Sequence, residues 1–533
     1  MPSWTLPAGV ATRFEAHFGD RLVCCFAERV QDSYDILARA ITSRGEAEAV
    51  VCGDERLSYA ELGRRVEQVA GGLAARGIGP GDRVALLLGN RVEFLLTLYA
   101  ALRLGAIAVP MGTRLQQPEI AYILEHAGAK ALVFEPSLVE RLPPVAETPD
   151  LLHRLAPGGA AGAEDFAALN GNAPPRPDVA EEATAVILYT SGTTGRPKGA
   201  MLTHFNLAHS LLHFQYGMAL GPQDRLLLAV PASHVTGLVA QIMLAAQAQA
   251  TLVMMPEFKT KAFLDLAARE RITQAVLVPA MYSLCLLEPD FDNADLSAWR
   301  VGGYGGAPTP AAVIAALAQK LPNLGLMNAY GATETTSPTT MMPAALTKAH
   351  ADSVGLVLPC GEVRVMDADG REVAPGETGE LWIGGAMVVP GYWRNPEATA
   401  REFTAGYWHS GDVGMKDADG FVRVFDRVKD MLNRGGYKIF SVEVENVLAA
   451  HDGVLESAIV AKPCPVLGER VHAFVSRRHG DVSADELHRF CATRLADYKV
   501  PESFTLVDEP LPRNANGKLM KRILREKLLA TMA

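Results

Sequence analysis

The segment Tyr189-Thr-Ser-Gly-Thr-Thr-Gly-Arg-Pro-Lys-Gly199 constrains this chain more than any other. It follows Ala185 to Tyr189, a short apolar run that reads as a strand. Gly192, Gly195 and Gly199 permit backbone conformations and close approaches that other residues resist. Thr190, Ser191, Thr193 and Thr194 add hydroxyls, and Lys198 adds a cation. Backbone N–H groups, hydroxyls and one lysine make a cradle for phosphate. The order is not that of a Walker A loop, because Lys198 lies between Pro197 and Gly199. A strand feeding such a loop belongs in a layered α/β architecture.

The rest of the chain agrees. Ser58 to Arg76 has helical periodicity behind a Ser-Tyr-Ala-Glu capping box, and Arg83 to Leu88 reads as a strand. Val92 to Leu104 is helical in pattern and Ala106 to Pro110 extended, an alternation that implies largely parallel sheets. Leu155 to Pro177 is rich in Gly, Ala and Pro and reads as a linker or surface loop. At 533 residues there is ample chain for a large core, and 49% apolar with 21% charged residues excludes a disordered or fibrous protein. The seven cysteines show no paired spacing, so they read as buried or idle thiols, not as a disulfide or zinc framework. No apolar run is long and unbroken enough for a membrane span, and the N-terminus does not read as a signal peptide. A soluble, cytoplasmic protein is expected.

Charge is distributed unevenly. The net charge is −10, yet residues 427–533 hold 17 Lys+Arg against 14 Asp+Glu. A basic small domain behind an acidic large one suggests an anionic ligand handled by both. Nucleic acid is not that ligand, since there is no basic patch interleaved with aromatics.

Further segments occur in a fixed order: Gly302-Gly-Tyr-Gly-Gly-Ala-Pro308, Tyr330-Gly-Ala-Thr-Glu-Thr335, Gly376-Glu-Thr-Gly-Glu-Leu381, Gly391-Tyr-Trp, Trp408-His-Ser-Gly-Asp412, Asp426-Arg-Val-Lys-Asp430, Arg434-Gly-Gly-Tyr-Lys438 and Asn516-Gly-Lys518. With the phosphate loop, this set resembles the signature of the adenylate-forming superfamily, and in particular its acyl-CoA synthetase branch. The resemblance runs from about Ser58 to Lys518.

It implies a large α/β N-terminal domain of layered subdomains, residues 1–426, and a small, mobile α+β C-terminal domain, residues 427–533, with a hinge at Lys429. It implies a reaction in two halves. A carboxylate attacks the α-phosphate of ATP, giving acyl-adenylate and pyrophosphate, and the thiol of CoA then displaces AMP. ATP, Mg²⁺ and CoA are the implied cofactor and co-substrates. Glu334 is the implied Mg²⁺ ligand, a hard carboxylate oxygen for a hard cation, with Thr194 beside it.

Lys518 is the implied adenylation lysine, placed to stabilise charge shared between nucleophile and leaving group. Thr190, Ser191, Gly192, Thr193, Thr194, Gly195 and Lys198 would cradle the phosphates, with Thr333 donating to the α-phosphate. Gly305, Gly306, Ala307 and Pro308, in the stretch that resembles the family's adenine-binding segment, would bind ATP and AMP together with Ala329, Tyr330 and Gly331, and Asp412 and Arg427 would hold the ribose. Arg434, Gly435 and Gly436 would admit the pantetheine arm of CoA.

The acyl pocket is implied at His234, Val235, Leu238, Tyr304, Gly331 and Thr336, with His234 at its entrance. These positions hold no cation for a second carboxylate, so a monocarboxylate with an apolar tail or a ring is expected. Two departures stand out. Ser233 occupies the place before His234 where an aromatic residue is common, and Ser441 stands where proline is usual, which should only loosen that turn. A stand-alone enzyme loading an acyl carrier protein is the alternative, and a homodimer is one assembly the resemblance allows.

Overall fold

In this computed structural model the described residues are 4–190, 196–307, 309, 311–478, 482–513 and 519–531. They form two compact units. The larger comprises residues 1–363, 382–409 and 418–422, and the smaller residues 364–381, 410–417 and 423–533.

The larger unit opens with a hairpin of β1 (Thr12–His17) and β2 (Arg21–Phe26), paired antiparallel. It then builds two sheets with helices against them. One has seven strands, with β3 (Thr184–Thr190) between the parallel strand Ile107–Pro110 and β4 (Lys198–Thr203), which is antiparallel to it. After Arg83, the strand Arg83–Leu87 in this sheet is an unbroken apolar and buried run, as expected where both faces are covered.

The other sheet is parallel through Thr251–Met254, Arg225–Leu228, Gln274–Leu277, Val301–Tyr304 and β5 (Gly325–Ala332). It turns antiparallel at β6 (Ser337–Met341). A parallel sheet leaves its carboxyl ends open for ligands.

The helix Tyr59–Ala75 begins where expected, with Ser58 Oγ accepting from Glu61 N at 3.2 Å. The stretch 155–177 is more than a linker. It holds the end of the strand His153–Ala156 and the short strand Glu164–Asp165, and its residues 169–172 press onto Gly71 and Gly72 near the C-terminal end of that helix. A Cβ on Gly72 would sit 2.5 Å from the Leu169 Cα, so bare backbone is what permits the crossing.

Helix α1 (His204–Gly217) is buried on every side from His204 to Phe214, polar residues included. Its histidines serve as hydrogen-bonding groups. His209 Nε2 accepts from Phe26 N at 3.2 Å, and His213 Nε2 donates to Pro359 O at 2.6 Å. Burial pushes His209 down to about 3 and His213 down to about 4. The unfolded imidazoles protonate near 6.5, so below that pH the unfolded chain gains protons that the folded chain refuses. Stability is complete above about pH 6.5 and falls as pH drops towards 4. Between pH 7.5 and 5.0 these two side chains should remove on the order of 4 kcal/mol, read by urea unfolding at the two pH values. A flat profile would contradict the burial argument.

The smaller unit has a five-stranded sheet, Leu432–Arg434, Tyr437–Ile439, Val454–Cys464, Gly468–Arg477 and Ser503–Val507. The helices Ser441–Ala449, Ala484–Ala492 and Lys521–Ala530 accompany it. Among the described residues no helix is long and apolar enough to cross a membrane.

Candidate active site

The strands on either side of the phosphate loop are fixed in register. Tyr189 faces Gly199 and Thr190 faces Lys198. Gly199 is required there, since a Cβ would lie 2.7 Å from Ile187 Cγ2 and 3.2 Å from the Tyr189 ring. Ser191, Gly192, Thr193, Thr194 and Gly195, together with Pro308 and Lys518, lie outside the described residues.

At the base of the loop the Lys198 ammonium pairs with Glu402 and lies 3.3 Å from the Tyr392 hydroxyl. It also sits 4.3 Å from the centre of the Tyr392 ring, a cation–π contact. The same hydroxyl lies 2.8 Å from Glu402 Oε2 and 2.9 Å from Glu334 Oε1. One lysine, one phenol and two carboxylates are therefore continuous. Burial drives the Glu334 carboxyl above its usual range, against the pull of Tyr392 and Lys198. Glu402 goes the other way. Burial opposes it, but hydrogen bonds from Lys198, Arg401 and Tyr392 keep it below the ordinary value. Burial and the two carboxylates raise Tyr392 far above a free phenol.

Glu334 is positioned by unusual backbone. It lies in a single turn, Thr333–Thr335, between β5 and β6, and Thr336 and Ser337 follow with φ of 51° and 94°. Left-handed conformations at residues other than glycine store strain and gather at functional sites. A Cβ on Gly331 would meet Ser337 O at 1.8 Å, so glycine is obligatory opposite this turn.

A strap closes the other side. Val389 N donates to Glu334 O at 3.0 Å, Trp393 N to Gly199 O at 2.7 Å, and Met201 N to Gly391 O at 3.1 Å. Arg21 donates to the carbonyls of Val388, Val389 and Pro390, and Asn206 to those of Ala386 and Val388.

The two implied nucleotide-binding segments come together, because a Cβ on Gly305 would sit 2.2 Å from Ala329 O. Gly306, with φ 78°, and Ala307 are exposed beyond it. Tyr304 is buried, and burial pushes its phenol up to about 12. His234 starts a short helical turn, with Val235 partly exposed and Leu238 buried. The chain then continues as a π-helical stretch, Leu238–Met243, a geometry found often at functional sites. Asn90 pins the approach to His234. Its Nδ2 donates to Val230 O and Met255 O at 3.0 and 2.9 Å, and its Oδ1 accepts from Ala232 N at 2.8 Å.

The smaller unit brings Asp412 and Arg427 together, at 2.6 Å between Oδ1 and Nε. Asp412 is buried, and its N–H is held by Ser410 Oγ at 3.0 Å. Arg434 pairs with Glu502 at 2.7 Å, and Gly435 and Gly436 follow with φ of 60° and 92°. Lys429 is exposed, its carbonyl accepting from Arg525 Nη2 at 3.4 Å.

Ser441 does far more than loosen a turn. It is fully buried, its N–H donates to Asp426, and its Oγ accepts from Lys521 Nζ at 2.5 Å, while Lys521 also pairs with Glu445 at 2.7 Å. Proline at 441 could supply neither bond. Just before residue 514 and after residue 518, Arg513 and Leu519 form an antiparallel bridge, and Met520 N donates to Pro512 O at 2.8 Å.

Tyr392, Glu402 and Asn90 carry no role in the sequence reading. Tyr392 stood in a quoted motif, Gly391-Tyr-Trp, but nothing local told which groups its hydroxyl would meet.

Comparison with known proteins gives a consistent picture. Residues 37–393 match the family described as "AMP-binding enzyme", and residues 443–518 match "AMP-binding enzyme C-terminal domain". The chain is 37% identical to a feruloyl-CoA synthase of Amycolatopsis sp, over 90% of this chain and 96% of that protein. It is 34% identical to the long-chain-fatty-acid–CoA ligase FadD13 of Mycobacterium tuberculosis, over 90% and 94%. Among solved structures it resembles O-succinylbenzoate coenzyme A synthetase (MenE) from Bacillus subtilis in complex with ATP and magnesium ion. That likeness has a TM-score of 0.82 and 30% identity, covering 93% and 99% of the two chains.

Proposed function

The chain belongs to the AMP-binding enzyme family and is an AMP-forming carboxylate–CoA ligase that uses ATP, Mg²⁺ and CoA; on that premise we propose the roles of its residues and the class of acid it activates. The observation that carries the proposal is the continuous Lys198–Glu402–Tyr392–Glu334 array at the foot of the phosphate loop.

The β- and γ-phosphates of ATP enter the loop of Ser191, Gly192, Thr193, Thr194 and Gly195 and draw Lys198 from Glu402. Thr190 and Thr333 add hydroxyl donors. Glu334, a buried carboxylate facing that cation, fits a Mg²⁺ ligand, with the Thr194 hydroxyl as a second donor. Bound there, the ion would neutralise phosphate charge. Gly305, Gly306, Ala307, Pro308, Ala329, Tyr330 and Gly331 enclose adenine, and Asp412, oriented by Arg427, accepts from the ribose hydroxyls.

The substrate carboxylate oxygen then bonds to the α-phosphorus while the bond to pyrophosphate breaks, and Lys518 stabilises the charge shared between them. In the second half the CoA sulfur attacks the acyl carbon and AMP leaves. Arg434, Gly435 and Gly436 admit the pantetheine arm. The working division is residues 1–426 and 427–533, with Lys429 as the hinge between the two halves.

The acid is a monocarboxylate with an aromatic ring or an apolar tail. His234, Val235, Leu238, Tyr304, Gly331 and Thr336 line its pocket without offering a fixed cation, and the names of the relatives, one aryl and one aliphatic, support the same class. A panel of acids run by ATP–pyrophosphate exchange, with thioester formation followed for CoA and for a holo-carrier protein, tests this. Cinnamate-type and medium to long aliphatic acids should exchange at least about tenfold faster than dicarboxylates, since a second buried carboxylate would lack a partner. CoA should be the acceptor. Exchange only with dicarboxylates, or acylation of the carrier alone, would overturn the respective part.

A further inference from the structure

The β1–β2 hairpin and the turn at residues 358–361 carry two thiols that the ligase chemistry does not use. Cys24 Sγ and Cys360 Sγ lie 3.6 Å apart, 336 residues apart in the chain. Both residues are half-buried, unlike Cys25, Cys285, Cys464 and Cys491, which are buried. Cys25, the next residue on the strand, points to the other face, as strand alternation requires. It is fully buried, with its Sγ 3.4 Å from Val23 O.

The turn gives a second, independent observation. Cys360 has φ 64°, in the left-handed region that favours glycine, although the neighbouring residue, Gly361, is a glycine and does not occupy it. A side chain is kept where a bare backbone would be easier, and that side chain touches Cys24.

We propose that Cys24 and Cys360 are a reversible oxidation site, closed to an intramolecular disulfide by a peroxide. One thiolate attacks a peroxide oxygen and becomes a sulfenic acid, with the first water formed from the leaving hydroxide and the thiol proton. The second sulfur attacks the sulfenic sulfur, and the second water leaves. Two thiols and one hydrogen peroxide give one disulfide and two waters. The sulfurs need to close to about 2.05 Å, a movement within reach of side-chain rotation and small shifts of the turn.

The bond would tie the hairpin to the strap beside Glu334. The Cys360 carbonyl accepts from Ala386 N at 3.3 Å, and Arg21 of the same hairpin already holds residues 388–390. A metal centre is the poorer use of this corner. Glu15, His17 and Cys25 do gather within 4.8 Å, but the two nitrogens of His17 are engaged by Glu182 and Glu15, and Arg29 holds Glu15.

The test uses the full chain, reduced and then treated with a stoichiometric excess of hydrogen peroxide, alkylated, digested and read by mass spectrometry, with a melting curve alongside. The expected result is loss of two of the seven thiols, one cross-linked peptide pair joining Cys24 to Cys360, and reversal by dithiothreitol. The melting temperature should rise by at least about 3 °C on oxidation, because the bond closes a very long loop of the unfolded chain. Cys25→Ser should behave like the parent. Cys24→Ser and Cys360→Gly should lose the cross-link and the shift, and Cys360→Gly suits the left-handed backbone, so it should remain folded. Retention of all the thiols, a bridge through Cys25, or sulfinic acid without a bridge would overturn the proposal.

Discussion

Glu334→Gln is expected to slow acid-dependent ATP–pyrophosphate exchange by about 10²–10³-fold while leaving the melting temperature within about 2 °C of the parent. The carboxyl is buried, and burial already favours its uncharged form in the absence of substrates. A carboxamide of the same shape therefore keeps the contact with Tyr392 and costs the fold little. The same change removes the carboxyl of the single turn after β5, the group that would ionise to hold a cation against the phosphates. The loss should fall mainly on kcat, and the Mg²⁺ concentration giving half-maximal exchange should rise. Exchange within threefold of the parent would remove Glu334 from the role given to it.

Lys518→Ala should separate the two halves of the reaction. Adenylate formation should fall by about 10²–10³-fold, since one ammonium aimed at charge that develops in the transition state carries an effect of that size. Thioester formation from supplied acyl-adenylate and CoA should stay within about threefold. In that half the nucleophile is the CoA sulfur and the leaving group AMP, and the α-phosphorus is not attacked. Rapid-quench measurement of both halves on the same preparation distinguishes the outcomes, and equal losses would sink the assignment.

What could be read from the sequence was whatever chemistry writes in one place. Gly199, Lys198 and the hydroxyl residues before them announce a phosphate loop because they are consecutive, and Ser58 announces a helix start because its partner, Glu61, is three residues away. Glu402 announces nothing. Its partner Lys198 is 204 residues distant, and only the pairing of the strap with β4 brings the two together.

Asn90 and Ser441 fail to show for the same reason. Asn90 Oδ1 accepts from Ala232 N and Ser441 Oγ from Lys521 Nζ, and both partners are remote in sequence. Proline at 441 is common enough to make serine look like a mere relaxation. A buried serine between Asp426 and Lys521 is a polar junction instead. The Gly-Ala-Pro-rich stretch 155–177 misled in the opposite sense, because the signal that it is strapped down lies in Gly71 and Gly72, two residues of another element.

The bridge between Arg513 and Leu519 has a mechanical meaning. Lys518 is one peptide bond from Leu519, and Leu519 packs into the apolar cluster of Val460, Phe474, Leu524 and Leu528. The two residues that flank the segment 514–518 are thus paired with each other, and one of them is packed into the core of its unit. Inserting glycines between residues 518 and 519 would lengthen the link from that mounting to the proposed adenylation lysine without touching any reacting group.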